Sequence, residues 1–137
     1  MRIKVLIILI IGFASSGYSQ KSRQAYCEVI VWSYQIMFHA AVSFDFGMQS
    51  NNTVMLYDSQ NRPLKFITGM DAVNYLSKRG WKLVSTYYES ISDSESVHFV
   101  MEKTVTDDKQ VRTGLNMRQI KLEDFFRMLG LPNFSPN

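Results

Sequence analysis

Cys27, His39 and His98 are the side chains best suited to covalent or acid–base chemistry in this 137-residue chain, which holds one cysteine and two histidines. A Cys–His pair would make a nucleophile and its base, and sequence distance does not forbid contact between strands. No local signature accompanies the pair, however. Cys27 sits in an apolar run, and apolar surroundings raise a thiol's pKa, so the inert reading is the better one. Metal ligation fares worse, because neither histidine has a second ligand at metal-binding spacing. Asp107 and Asp108 are adjacent, which points their side chains apart and suits a solvated helix start better than a calcium loop. There is no glycine-rich phosphate loop, no serine elbow, and no pair of carboxylates in acid–base context. The expectation is a non-enzymatic protein with no catalytic, cofactor-binding or metal-binding residue.

The elements that would carry these residues follow from patterning. Ala25 to Trp32 is rich in β-branched and aromatic residues and reads as a strand. Ala41 to Phe46 alternates, with Val42, Phe44 and Phe46 on one side and Ser43 and Asp45 on the other, and stops at Gly47. Turn residues Gln49 to Asn52 lead to a strand over Thr53–Tyr57. A second turn, Asp58 to Pro63, leads to another over Leu64–Ile67, so two consecutive hairpins fit. Thr68 and Asp71 are spaced as a capping box. Beyond them Met70, Ala72, Val73, Tyr75 and Leu76 share one side of a helix that Gly80 can close. Trp81–Glu89 and Val97–Lys103 read as an antiparallel pair around a polar loop, Ser90 to Ser96. After Thr104, Thr106-Asp107-Asp108 could begin a short helical turn ending near Gly114. Leu122, Phe125, Phe126 and Leu129 then recur at helical spacing before Gly130 and Pro132. The predicted fold is α+β: an antiparallel sheet of about four or five strands, one main helix on one face, and a C-terminal amphipathic helix.

Residues 1–19 look like a secretory signal peptide. Arg2 and Lys4 precede an apolar run from Val5 to Ala14, and the small residues Gly17 and Ser19 suit cleavage before Gln20. The run is roughly half the ~20 residues a membrane span needs, and Cys27 lies too far downstream to be a lipid-bearing cysteine. Cleavage would remove two of the 15 basic and none of the 12 acidic residues, so net charge falls from +3 to +1. With no basic face to hold a polyanion, nucleic acid is not an expected partner. The organisation is then 1–19 signal peptide, 20–104 α+β domain and 105–137 C-terminal helical extension, in a periplasmic or secreted protein without stable membrane insertion. A lone cysteine permits no intrachain disulfide, so packing must hold the fold; Cys27 is either a small buried hydrophobe or an intermolecular pairing site.

Tyr26-Cys27-Glu28, Val42-Ser43-Phe44-Asp45-Phe46-Gly47, Met70-Asp71-Ala72-Val73-Asn74-Tyr75, Gly80-Trp81 and His98-Phe99 together resemble a family of small secreted bacterial proteins of unknown function. Gly80-Trp81-Lys82-Leu83-Val84 also resembles the wider group of short bacterial domains built on Gly-Trp-Glu-Leu-Val. The resemblance spans about Tyr26 to Lys103 and implies export and a compact α+β domain, without an activity or ligand. Two departures stand out: Asn61-Arg62-Pro63 replaces the usual Gly-Lys turn, and Lys82 replaces the motif's Glu. The motif has a structural explanation too, with Gly80 ending the helix, Trp81 folding over helix and sheet, and Leu83 beginning the strand's inward positions.

What remains for function is surface. Tyr87 and Tyr88 point to opposite faces of one strand, so one ring lies away from the main helix and could stack on a sugar or peptide unless the tail covers it. Leu122, Phe125, Phe126 and Leu129 either cover that second face or project as a partner-binding element. The leading expectation is a protein-interaction module for an envelope or extracellular protein, including a second copy of itself through an open sheet edge. The alternative is a small-ligand or glycan binder using exposed aromatics.

Overall fold

The computed structural model describes residues 20–36, 39–47, 51–91 and 94–130; the proposed signal segment 1–19 and Pro132 lie outside them. The chain is α+β with an antiparallel sheet, but the sheet has six strands rather than four or five, in the order β4-β5-β1-β2-β3-β6. The strands are β1 (Arg23–Ile36), β2 (His39–Asp45), β3 (Asn52–Tyr57), β4 (Lys82–Ile91), β5 (Ser94–Val105) and β6 (Asn116–Lys121). Three short helices accompany them: α1 (Gly69–Ser77), α2 (Lys109–Arg112) and α3 (Leu122–Met128).

Three expectations need correction. Leu64–Ile67 is not a strand: it touches the sheet through isolated bridges, Tyr57 to Pro63 and Ala40 to Phe66. Pro63 has no N–H to give a ladder. The polar stretch Ser90 to Ser96 is mostly strand, since Ser90 pairs with Glu95 and Ile91 with Ser94 around residues 92–93. The added strand is β6, which runs antiparallel to β3 from Asn116 opposite Tyr57 to Lys121 opposite Asn52. Four of its six residues, Asn-Met-Arg-Gln-Ile-Lys, are polar, and β6 is an edge strand, which shows little of the apolar alternation that marks a covered one.

Partners directly opposite in a ladder share a sheet face. The first face carries Ala25, Cys27, Val29, Phe44, Val54, Leu56 and Met101, all buried together with Ala72, Val73 and Leu76 of α1 and with Trp81. The capping box forms as spaced: Asp71 N–H donates to Thr68 Oγ1 at 3.3 Å and Thr68 N–H to Asp71 Oδ2 at 3.0 Å. Gly80 closes the helix at φ +88° and Trp81 N–H returns to Leu76 O. Gly69 opens α1 where it crosses the sheet, and an added Cβ would stand 2.6 Å from Val31 Cγ2, so glycine permits the close approach. Leu83 lies on this first face but is 39% exposed, so it does not begin a buried series.

The second face is divided. α3 lies over the β3–β6 end, where Phe125 and Phe126 are buried with Met55 and Tyr57, and Trp32, Ile120, Leu122 and Leu129 pack around them. Trp32 and Phe126 meet edge to face at 4.9 Å. Asn61 stands at φ +68° in the Asp58 to Pro63 turn, and asparagine is the side chain that best tolerates that region after glycine. The same turn is tied by Asp58, whose carboxyl the Arg62 backbone N–H and guanidinium hold below its usual range.

Candidate binding face

The β4–β5–β1 half of the second face has no helix over it among the described residues. It takes its side chains from alternate positions: Ser85, Tyr87 and Glu89 on β4, Ser96, His98 and Glu102 on β5, and Tyr26 and Glu28 on β1. The ladders set their neighbours, with His98 between Ile30 and Tyr87, Ser96 between Trp32 and Glu89, and Glu28 opposite Asp45 of β2.

His98, 5% exposed, is the centre of this surface. Its Nδ1 lies 2.9 Å from Glu28 Oε2, and its Nε2 lies 2.9 Å from Ser96 Oγ and 3.3 Å from Glu89 Oε2. A carboxylate only accepts, so the contact to Glu28 places a proton on Nδ1. The Tyr87 ring stacks on the imidazole at 4.5 Å, with 16° between the planes, and its hydroxyl donates to both Glu28 oxygens at 3.0 and 3.1 Å. Partial burial, the hydrogen bond to Glu28, and the negative charges of Glu28, Glu89 and Asp45 push the Tyr87 hydroxyl up to about 12. Burial contributes most, and each of those charges adds to it by disfavouring a phenolate.

Ser96, His98 and Glu28 stand in the order hydroxyl, imidazole, carboxylate used by serine nucleophiles. Two features argue against that use. Ser96 is 3% exposed near the start of β5, where it pairs with strands on both sides, so the neighbouring backbone N–H groups are committed to ladders and cannot cradle an oxyanion. Glu89 Oε2 also crowds Nε2, at 3.3 Å, on the nitrogen that would have to accept the serine's proton. The arrangement is better suited to presenting carboxylates than to attacking a substrate.

Cys27 pairs with Met101 on the first face, whereas His98 faces the other way, so the Cys–His pair weighed from sequence does not form. The thiol is 2% exposed, and burial, with Asp45 and Glu28 adding to it, pushes its pKa well above the ordinary range. We expect a thiol reagent to leave Cys27 unmodified in the native protein and to label it fully in denaturant. Stoichiometric labelling within minutes under native conditions would show that the first core opens. His39 pairs with Ile36 at the start of β2, and its side chain lies outside the described residues. Among the described residues no three His, Cys, Asp or Glu side chains gather as metal ligands, and no helix is long and apolar enough to cross a membrane.

The helical stripe singled out for partner binding does not form an exposed surface. Phe125 and Phe126 are 1% and 0% exposed, and Leu122 and Leu129 pack beside them, so their apolar area is spent on the sheet. Tyr26 and Tyr88 are the most exposed aromatic rings described, at 56% and 57%, with Tyr87 at 41%. A separate cleft lined by Asn51, Asn52, Lys121, Leu122 and Glu123 has no aromatic ring in its described wall. Sequence reading missed the His98 cluster because its members come from three strands; the one local signal was the alternation of Ser96 and His98. Comparison with protein-family models, curated proteins and solved structures finds no match.

Proposed function

We propose that this chain is an exported, non-enzymatic interaction module that receives a cationic segment of an envelope or extracellular protein on the half of its second sheet face that no described helix covers. The observation that supports this is the convergence of Glu28 and Glu89 on His98, with Asp45 opposite Glu28. Glu28 and Asp45 stand directly opposite each other on neighbouring strands, an arrangement that costs stability. Asp45 Oδ1 accepts from Gly47 N–H at 2.8 Å. Carboxylates gathered on one patch attract a cationic ligand. The chain's overall positive charge makes the local excess of carboxylates more notable. A lysine or arginine side chain would meet carboxylates at its head and the Tyr26 and Tyr87 rings along its stem.

The test is titration calorimetry with an oligolysine peptide at two salt concentrations. Binding should weaken with salt, and Glu28→Gln combined with Glu89→Gln should weaken it roughly tenfold or more. Glutamine can still accept from Tyr87, so the fold should survive. Absence of binding, or binding indifferent to the double substitution, would refute the reading. A second reading, glycan binding, draws on Tyr26 and Tyr87 exposed beside carboxylates; it predicts salt-insensitive binding to an oligosaccharide panel that Tyr26→Ala abolishes.

A further inference from the structure

We infer that β4 is a self-pairing edge: two copies of this chain join antiparallel along β4, about a two-fold axis at Thr86, so that their six-stranded sheets become one. The pairing shares Glu89 with the acidic face but does not require that face to bind a cation.

β4 ends the sheet and is ten residues long, whereas the opposite edge, β6, has six, among them Arg118 and Lys121. Charged, short edges discourage pairing, and β6 fits that description. β4 instead exposes Leu83 (39%), Val84 (49%), Tyr87 (41%) and Tyr88 (57%). Lone strands with open backbone groups and apolar side chains are pairing templates.

The register of β4 against β5 supplies the second argument. Leu83 pairs with Met101 and Ser85 with Val100, so Val84 is an extra residue in a bulge. Strict alternation would put Lys82 and Glu89 on opposite faces. The bulge brings Lys82 onto the second face, opposite Glu102, where Glu89 also lies. A second β4 centred on Thr86 then matches residue by residue. Thr86 meets Thr86 of the other copy and Ser85 meets Tyr87. Leu83 and Val84 together meet Tyr88, and Lys82 meets Glu89, with every pair on a common face. Hydroxyl faces hydroxyl, aliphatic faces aromatic, and the two charges that remain are opposite in sign. Glu89 reaches His98 through Oε2 while 44% of its side chain stays exposed, so its carboxylate is accessible from the edge. Shifting the second strand by one residue would set Lys82 opposite a first-face residue and bring apolar side chains against polar ones.

Sedimentation equilibrium of the chain from Gln20 onward, at up to about 100 µM, tests this. The wild type should be a dimer. Lys82→Glu and Glu89→Lys should each weaken association roughly tenfold, because each places like charges opposite one another at both symmetric positions. An equimolar mixture of the two variants should re-form a dimer, since each then offers the charge the other needs. With Val84 bulged out, the two positions lie six ladder steps apart, roughly 20 Å, so no contact within one chain can produce that recovery. Thr86→Lys, an exposed change on the axis that leaves both cores untouched, should also give monomers. A wild type that stays monomeric, single variants that dimerise as well as the wild type, or a mixture that stays monomeric would each overturn the inference.

Discussion

Ending the chain after Thr104 is expected to abolish cooperative unfolding rather than to remove an appendage. The lost segment contains β6, the strand that pairs with the whole of β3 from Asn52 to Tyr57. It also contains Phe125 and Phe126, which with Met55 and Tyr57 form the second core, and Val111, Leu115 and Met117, which pack against the first. Val105, 1% exposed, would go as well. Truncating a single buried phenylalanine to alanine costs about 3–5 kcal/mol, and a domain of this size has only about 5–15 kcal/mol in total. Trp32 would lose the ring it meets edge to face, leaving its indole on an uncovered sheet. The measurement is urea unfolding followed by near- and far-ultraviolet circular dichroism. A sigmoidal transition whose midpoint lies within about 1 M of the full chain's would show that the first face folds alone, contrary to expectation. A consequence for binding work is that any interaction lost on this truncation reports unfolding and does not locate a contact on the tail.

Trp81→Ala should destabilise the protein by about 3–5 kcal/mol, as other buried aromatic truncations do. Trp81 is 2% exposed at the joint between α1 and β4. Its ring meets Phe46 at 5.6 Å, 72° from parallel, and Lys103 Nζ stands 5.9 Å above it. Its backbone N–H also closes the helix onto Leu76 O, a contact alanine keeps. The expected loss is therefore one of packing and not of capping. Trp81→Phe separates the two contributions further. Among the described residues the buried Nε1–H has no hydrogen-bond partner, so phenylalanine removes an unsatisfied donor while retaining a ring against Phe46. Its cost should be less than half that of alanine. Denaturant midpoints at unchanged slope provide both numbers, and an alanine variant within about 1 kcal/mol of wild type would mean that the joint collapses around the gap.

Local spacing was enough to identify the α+β class, the capping box at Thr68 and Asp71, the closure at Gly80, the burial of Trp81 and the short helix that Leu122 begins. Each depends on residues within a turn or two of each other, so the sequence carries its physics directly. Tertiary structure decided three other matters. β6 becomes a strand because β3 lies beside it, not because its own residues alternate. The apolar stripe of α3 fits both a covering helix and a projecting one; the open second face beside β3 settles it as core. Cys27 and His98, plausible partners in sequence, are kept apart because a strand alternates its side chains and the β1–β5 register gives them opposite faces. That register also gathers Glu28, Tyr87, Glu89, Ser96 and His98 from three strands into one acidic surface. No window of sequence contains them together, and only the pairing of distant strands makes them neighbours.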